Sequence, residues 1–228
     1  MASGSDDIDT LERLLAARFS CRGFKSDPVP DAVIKRMLNA AQKTASWCNS
    51  QPWQVVVTSG DATGKFRDAL YPLAEKGAAP TGDFPFPRDY RGVYLERRRE
   101  SGFQLYNALN IERGDWTAYA KQALENFNFF GAPHVAIVHT DEALGVYGAV
   151  DCGGYVTNLM LAAQALGLAT VPQAALAFHA STVRRHFGLG EDRKVVCGVS
   201  FGYADRAHKA NSYRTSRAAL SDVATFVT

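Results

Sequence analysis

The chain has 228 residues, 46% of them hydrophobic and 21% charged, which suits a globular protein with a sizeable core in one large domain or two small ones. Its net charge of +2 is too near zero to imply a nucleic-acid surface or a strongly electrostatic membrane patch. Cys21, Cys48, Cys152 and Cys197 form no C-x-x-C pair, and the histidines show no H-x-H or H-E-x-x-H spacing; neither a zinc site nor a disulfide framework is expected, and the thiols read as small buried residues.

The opening stretch from Met1 to Asp7 is polar and acidic, unlike a signal or transit peptide, so a cytoplasmic address is expected by default. From Asp7 to Ala17, Ile8, Leu11, Leu14 and Leu15 share one helical face. Pro28-Val29-Pro30-Asp31 signals a second helix, with Val33, Ile34, Met37, Leu38 and Ala41 turned inward. Gln54 to Ser59 reads as a buried strand, followed by a helix from about Asp61 to Lys76. Gly82-Asp83-Phe84-Pro85-Phe86-Pro87 cannot be regular structure, because its prolines remove donors and fix φ. A long helix follows, whose run Glu96-Arg97-Arg98-Arg99-Glu100 suits a solvated face. Next come a strand at Val135–Val138, with His134 and His139 as strand-end residues, and a long helix from Tyr147 to Leu168. The apolar part of that helix, Leu159 to Leu168, is too short to span a bilayer and is interrupted by Gln164 and Gly167. A helix near Ser181 to Phe187 and a strand at Val195–Phe201 complete the order, before a polar tail that ends in Val223-Ala224-Thr225-Phe226-Val227. Helices and strands alternate without βαβ regularity, so the expected class is α+β.

Four segments carry candidate chemistry. In Arg18-Phe19-Ser20-Cys21-Arg22-Gly23-Phe24, an extended backbone turns Arg18, Ser20 and Arg22 to one side. Two guanidinium forks and a hydroxyl make a cradle for a phosphate, although the same residues also suit two solvated arginines beside a turn. In Trp47-Cys48-Asn49-Ser50-Gln51-Pro52-Trp53, the amides of Asn49 and Gln51 could pair with a ligand edge of mixed donors and acceptors, or the loop could simply anchor Trp53 in the core. Asn211 to Arg217 adds the cations Arg214 and Arg217. Val171-Pro172-Gln173-Ala174-Ala175 reads as a stretch whose backbone donors are free to face a ligand.

Together with Phe130-Gly131-Ala132-Pro133 before a strand and Tyr147 to Asp151 opening the long helix, these segments carry a resemblance. The chain resembles the FMN-dependent nitroreductases from Leu11 to its end, and is most similar to the branch that reduces nitrobenzoates and dinitroanilines. The resemblance implies one domain over residues 1–228, a three-layer α/β/α arrangement around a mixed, mainly antiparallel sheet. It implies a homodimer with an exchanged C-terminal segment, and an insertion at about 77–120 over the active site. It implies FMN in a groove at the subunit interface, NADPH or NADH as electron donor, and a nitro-aromatic or quinone acceptor reduced by a ping-pong mechanism. By position, Arg18, Phe19, Ser20, Arg22, Arg214 and Arg217 would hold the phosphate and its surroundings. Asn49 and Gln51 would line the ring and ribityl chain, with Asn128 at the pyrimidine edge. Pro172 and Gln173 would lie against the flavin, and the Ala174 amide would donate to its N5. The family's best-known branch has an acidic residue at the position of Ala174, so only a backbone role carries over. The cofactor carries the redox chemistry, so no classical catalytic residue is expected.

Phe84, Phe86 and Tyr94 are candidates for an aromatic wall facing flat acceptors, and packing of these rings on the core is nearly as good a reading. Gly198-Val199-Ser200-Phe201-Gly202 matches the G-x-S-x-G elbow of serine hydrolases. That elbow needs a helix after the serine and a distant acid and histidine, whereas glycines in a buried strand explain the pattern more simply. A non-catalytic flavin-binding protein is the third reading. No G-x-G-x-x-G follows a strand, so a Rossmann dinucleotide site has no support.

Overall fold

The computed structural model describes residues 4–228; the first three residues of the polar N-terminal stretch lie outside the described residues. Its strands are β1 (Gln54–Ser59), β2 (His134–Asp141), β3 (Ala169–Gln173) and β4 (Arg193–Gly202). They form one sheet in the order β1-β2-β4-β3, with antiparallel pairing throughout. The parallel component of the expected mixed sheet is an isolated bridge between Ser20 and Thr170.

Alternation along the strands feeds two cores, one on each face. Ala136 and Val138 of β2 join Val199 and Phe201 of β4 in one core; helices α2 (Asp31–Ala41) and α6 (Gly145–Ala165) cover it with Ile34, Met37, Tyr155 and Leu159. Val135 and Ile137 point the other way, into a core closed by Phe66 and Leu70 of α3 (Asp61–Glu75) and Val183 of α7 (Ala180–Phe187). A bulge makes the two cores compatible: Val138 pairs with Cys197 but His139 pairs with Val195. The extra residue, Val196, flips the parity of β4, so Val195 joins the second core while Val199 stays in the first. The result is a helix–sheet–helix sandwich of class α+β.

Several elements differ from the sequence-based expectation. His139 lies within β2 rather than at its end, because the strand continues to Asp141. His134 opens the strand and is a structural residue: its Nε2 accepts the Val29 N–H at 2.9 Å and its Nδ1 pairs with Ser59 Oγ at 2.8 Å. Helix α5 (Trp116–Leu124) buries none of its residues, so no apolar stripe announced it; Asp115 caps it by accepting from the Ala118 N–H. The segment at Val171 is strand β3, not a loop, and its Pro172 is tolerated because β3 is an edge strand. Of the thiols, Cys21 and Cys152 are buried, whereas Cys48 is exposed. No described helix is long and apolar enough to cross a membrane.

Two apolar surfaces stay uncovered in the single chain. On α1 (Gly4–Ala17), the face bearing Ile8, Leu11 and Leu15 is exposed. On α6, Val146, Tyr147 and Val150 are exposed opposite the buried face of the same helix. The tail past β4 is irregular apart from short 3-10 turns, and its Val223, Phe226 and Val227 are exposed.

Candidate functional site

Residues 18–24 leave α1 and run extended along the free edge of the sheet. The Cys21 N–H donates to Thr170 O at 3.0 Å, the Phe24 N–H to Phe130 O at 3.3 Å and the Lys25 N–H to Tyr203 O at 2.9 Å. The C-terminal tail folds back against this segment through one buried side chain. Asn211 accepts the Arg22 N–H at 2.8 Å and donates to Gly23 O and Asp205 O, each at 2.8 Å. Gly23 is glycine because a Cβ there would stand 2.3 Å from the His208 ring. Asn211 was legible only as the first letter of an arginine-bearing motif, and nothing in the sequence marked its amide as the clasp.

The clasp brings the predicted cations together. Arg18, Phe19, Ser20, Arg22, Arg214 and Arg217 line one cavity of about 300 Å³. Arg22 is steadied by Tyr213 Oη at 3.2 Å and Ser20 O at 3.3 Å. The Arg214 guanidinium lies over the Phe19 ring, 3.9 Å from its centroid, while donating to Asn211 O and Tyr213 O. Arg217 folds onto Thr215 and Ser216. Among the described residues, none of these arginines has a carboxylate within ion-pair distance. Burial first, and then the Arg217 charge, push the Arg18 pKa down from its ordinary value. Cations gathered without a counter-charge, beside a hydroxyl, suit a phosphate. Arg22 also lines a neighbouring cavity of about 490 Å³, walled by Phe24, Leu109, Ile111 and Phe130.

The other predicted residues lie apart from that cluster. Asn49 and Gln51 sit in a loop where Cys48, Asn49 and Gln51 all have φ near +50° (51°, 54° and 48°), conformations that cost non-glycine residues about 1 kcal/mol or more each. Gln51 Oε1 accepts from Gln42 Nε2 at 3.0 Å, and the Trp47 N–H reaches Asp151 Oδ2 at 3.1 Å. Both amides are exposed, and neither lines the arginine cavity. Asn128 donates to its neighbour Glu125 at 3.0 Å. Pro172 and Ala174 are exposed, whereas the Gln173 side chain turns inward and is buried. Phe86 stacks on Phe178 with centroids 4.1 Å apart, Phe84 is half-buried and Tyr94 is exposed. The cavity beneath α4 (Val93–Ala108) is lined instead by Val93, Arg97, Gln104 and the tail.

The hydrolase reading fails on geometry. Ser200 is fully buried within β4, and its hydroxyl is committed to Gln173. The flanking glycines are packing residues: a Cβ on Gly198 would meet Leu176 at 2.4 Å, and one on Gly202 would meet Pro133 at 2.8 Å. Among the described residues only short 3-10 turns follow β4, and no α-helix lifts the serine out of the sheet.

Known proteins are similar to this chain in sequence and fold. A model described as the Nitroreductase family matches residues 15–203. The nitroreductase NfnB of Mycolicibacterium smegmatis is 39% identical over 222 residues, covering 97% of this chain and 94% of the relative. A 4-nitrobenzoate reductase of Pseudomonas putida is 32% identical over 217 residues, covering 95% and 94%. Among solved structures, the FMN-dependent nitroreductase NfnB from Mycobacterium smegmatis in complex with NADPH matches with a TM-score of 0.91 at 38% identity, covering 97% of this chain and 99% of that one.

Proposed function

The chain belongs to the nitroreductase family, and on that premise we propose that it is an oxidoreductase that binds FMN non-covalently and uses NADPH or NADH to reduce small nitro-aromatic compounds. The observation that carries this reading is the arginine cavity. Arg18, Arg22 and Arg217 converge beside Ser20 with no carboxylate among the described residues at ion-pair distance, which fits the phosphate end of a flavin mononucleotide. Relatives of similar sequence include an FMN-dependent enzyme captured with NADPH and a reductase of 4-nitrobenzoate.

FMN, when bound, supplies the redox chemistry, taking electrons from the nicotinamide and passing them to the acceptor. The protein's share is binding, orientation and exclusion of water. Arg18, Ser20, Arg22 and Arg217 hold the phosphate, and Arg214 fixes Phe19 by cation–π contact. The cavity that shares Arg22 offers apolar walls for a flat ring. The N–H of Ala174 opens a 3-10 helix and so has no acceptor within it, which suits a donor to the ring. Asn128 and the backbone at Pro172 complete this side. Donor and acceptor use the same pocket in turn, which gives ping-pong kinetics and admits quinones as well as nitro-aromatics. A nicotinamide donor suits the expected cytoplasmic address.

The same reading includes a homodimer. Asn49 and Gln51 stand outside the arginine cavity of their own chain, and the faces of α1 and α6 leave Ile8, Leu11, Leu15, Val146, Tyr147 and Val150 uncovered. A second copy covers those faces and brings its Asn49–Gln51 loop to the first copy's flavin. The segment at 77–120 forms the outer wall of the single domain.

Incubation of the flavin-free protein with FMN, followed by anaerobic addition of NADPH, tests the proposal. The expected result is a yellow protein that NADPH bleaches and that a nitrobenzoate restores to yellow. A protein that takes up no FMN overturns the function. One that takes it up but is not bleached is a flavin-binding protein without the activity.

A further inference from the structure

The inward turn of Gln173 has no place among direct ligand contacts. Its side chain joins three segments. The Ser200 hydroxyl, fully buried in β4, donates to Gln173 Oε1. Gln173 Nε2 donates in turn to Asn126 O at 2.7 Å and to Asn126 Oδ1 at 3.3 Å. A serine hydroxyl has one proton to give and an amide carbonyl can accept it, so the direction of the chain of bonds is set by donor inventory. Gln173 is the last residue of β3, and Ala174 begins the 3-10 helix Ala174–His179. The next contact along that helix is Leu176, seated where Gly198 lacks a side chain. On the other side, Asn126 leads into a backbone held at φ 56° for Phe129 and φ 53° for Phe130. The peptide between Gln173 and Ala174 is therefore fixed from both ends, while Ala174 itself is exposed.

We propose that Ser200, Gln173 and Asn126 form a positioning relay that orients the Ala174 N–H toward the ring of the bound flavin. This rests on the proposed FMN function. None of the relay residues touches the flavin, and each acts through the Gln173–Ala174 peptide. The relay also gives the G-x-S-x-G pattern a role: Ser200 supplies the first hydrogen bond, and Gly198 makes room for the second anchor. An amide held in place before the reaction costs no reorganisation when charge builds on the ring, and its loss weakens binding of the reduced form more than of the oxidised one.

The test compares Ser200→Ala, Gln173→Met and the double variant, each loaded with FMN. The double variant removes both ends of the buried Ser200–Gln173 bond together, so neither a hydroxyl nor an amide is left unpaired between β3 and β4. The carbonyl and amide oxygens of half-buried Asn126 lose the Gln173 donor in both Gln173 variants alike, so the double variant is the folding control for the Ser200–Gln173 bond. In flavin-free protein labelled at alanine nitrogen, the Ala174 amide resonance should shift in all three variants. In the holoproteins, the reduced-to-oxidised ratio of FMN affinities should fall about tenfold, which is about 30 mV for a two-electron couple. Affinity for oxidised FMN should stay within about threefold, because the phosphate anchors are untouched. Ser200→Thr, which keeps the hydroxyl, should restore the potential. A double variant with the wild-type potential overturns the relay and reduces Ser200 to a packing residue. A wild-type protein that takes up no FMN fails at the earlier step and overturns the function instead.

Discussion

Arg18 and Arg217 face the same cavity and repel each other: burial and then the Arg217 charge hold the Arg18 pKa below its ordinary value. No carboxylate among the described residues relieves the repulsion. Arg217→Ala should therefore leave the melting temperature of the flavin-free protein unchanged or slightly higher. The same variant should bind FMN more weakly by about 1.5–3 kcal/mol, the range for a hydrogen bond to a charged group. Arg22→Ala should lose a similar amount. Part of the effect should fade at high salt, because Arg217 is exposed. Titration of flavin-free protein with FMN at two ionic strengths checks this, and unchanged affinity in both variants would show that the phosphate lies elsewhere.

Asp83 and Arg184 form a buried ion pair at 2.6 Å, with side chains 6% and 9% exposed. Asp83 also accepts the Val195 N–H at 2.8 Å, so one carboxylate ties the start of the proline-containing segment to both α7 and β4. Asp83→Ala leaves the buried guanidinium with only exposed Glu191 at 3.5 Å and Arg193 O at 3.3 Å, and should cost up to about 3 kcal/mol, the lower end of the range for breaking a buried pair. For a domain of this size the melting temperature falls roughly 2–4 °C per kcal/mol. Calorimetry of Asp83→Ala against Arg88→Ala, an exposed site in the same segment, separates the pair from the loop itself.

How legible the fold and site were depended on whether the signal was local. Helix α2 and strand β1 emerged near their true limits because periodicity and proline signals are written in adjacent residues. β3 did not, because Pro172 reads as a strand breaker until the sheet order places it on an edge. That Arg18, Arg22, Arg214 and Arg217 share one cavity was legible because two short motifs each carry a pair of arginines. The inward bond of Gln173 was not legible: its partner Ser200 is 27 positions away in sequence, and no local rule tells which way an amide at a strand end turns. Asn211 was hidden for the same reason, since its bond to the Arg22 N–H spans 189 positions.

The buried histidines make stability depend on pH with a definite sign. Burial lowers the pKa of His134, His139, His179 and His186, with Arg193 adding to the effect at His139. The folded chain thus protonates these rings less readily than the unfolded chain, whose histidines titrate near 6.5. Unfolding therefore takes up protons as the pH drops through that value. Stability should be full above about 6.5 and should fall by up to about 1.4 kcal/mol per pH unit for each ring below it. Urea unfolding at pH 7.5 and 5.5 measures this. His139→Gln should flatten the dependence, and a midpoint equal at both pH values would contradict it.

The exposed end of the chain should matter for assembly rather than for the core. Val223, Phe226 and Val227 touch no buried cluster and are largely exposed in the single chain. If the proposed dimer forms, removing residues 221–228 should convert it to monomer or aggregate, or loosen FMN. Sedimentation of the truncated protein decides it, and an intact, flavin-loaded dimer would remove the tail from the interface.

Phe86 and Tyr94 were equal candidates for an acceptor-facing wall, and their surroundings now divide them. The Phe86 ring lies 4.1 Å from Phe178 at an interplanar angle of 19°, and a Cβ on Gly82 would stand 2.7 Å from it. It is half-buried in a segment already held by Thr81 against Phe178 and Ser181. Tyr94, at 67% exposure, has no such packing. Phe86→Ala should lose about 3–5 kcal/mol if its ring counts as core, less in proportion to its exposure. It should then lower kcat/KM for all acceptors alike, because the whole segment loosens. Tyr94→Ala should leave the melting temperature unchanged and alter kcat/KM unequally between a bulky dinitroaniline, a small nitrobenzoate and a quinone, since a wall contact discriminates by size. Phe84, half-buried like Phe86 but without a stacked aromatic partner among the described residues, should show some of each effect. Equal losses on every acceptor in Tyr94→Ala, without a change in stability, would leave that ring outside the pocket and move the specificity wall to Val93 and Arg97, which line the cavity under the same helix.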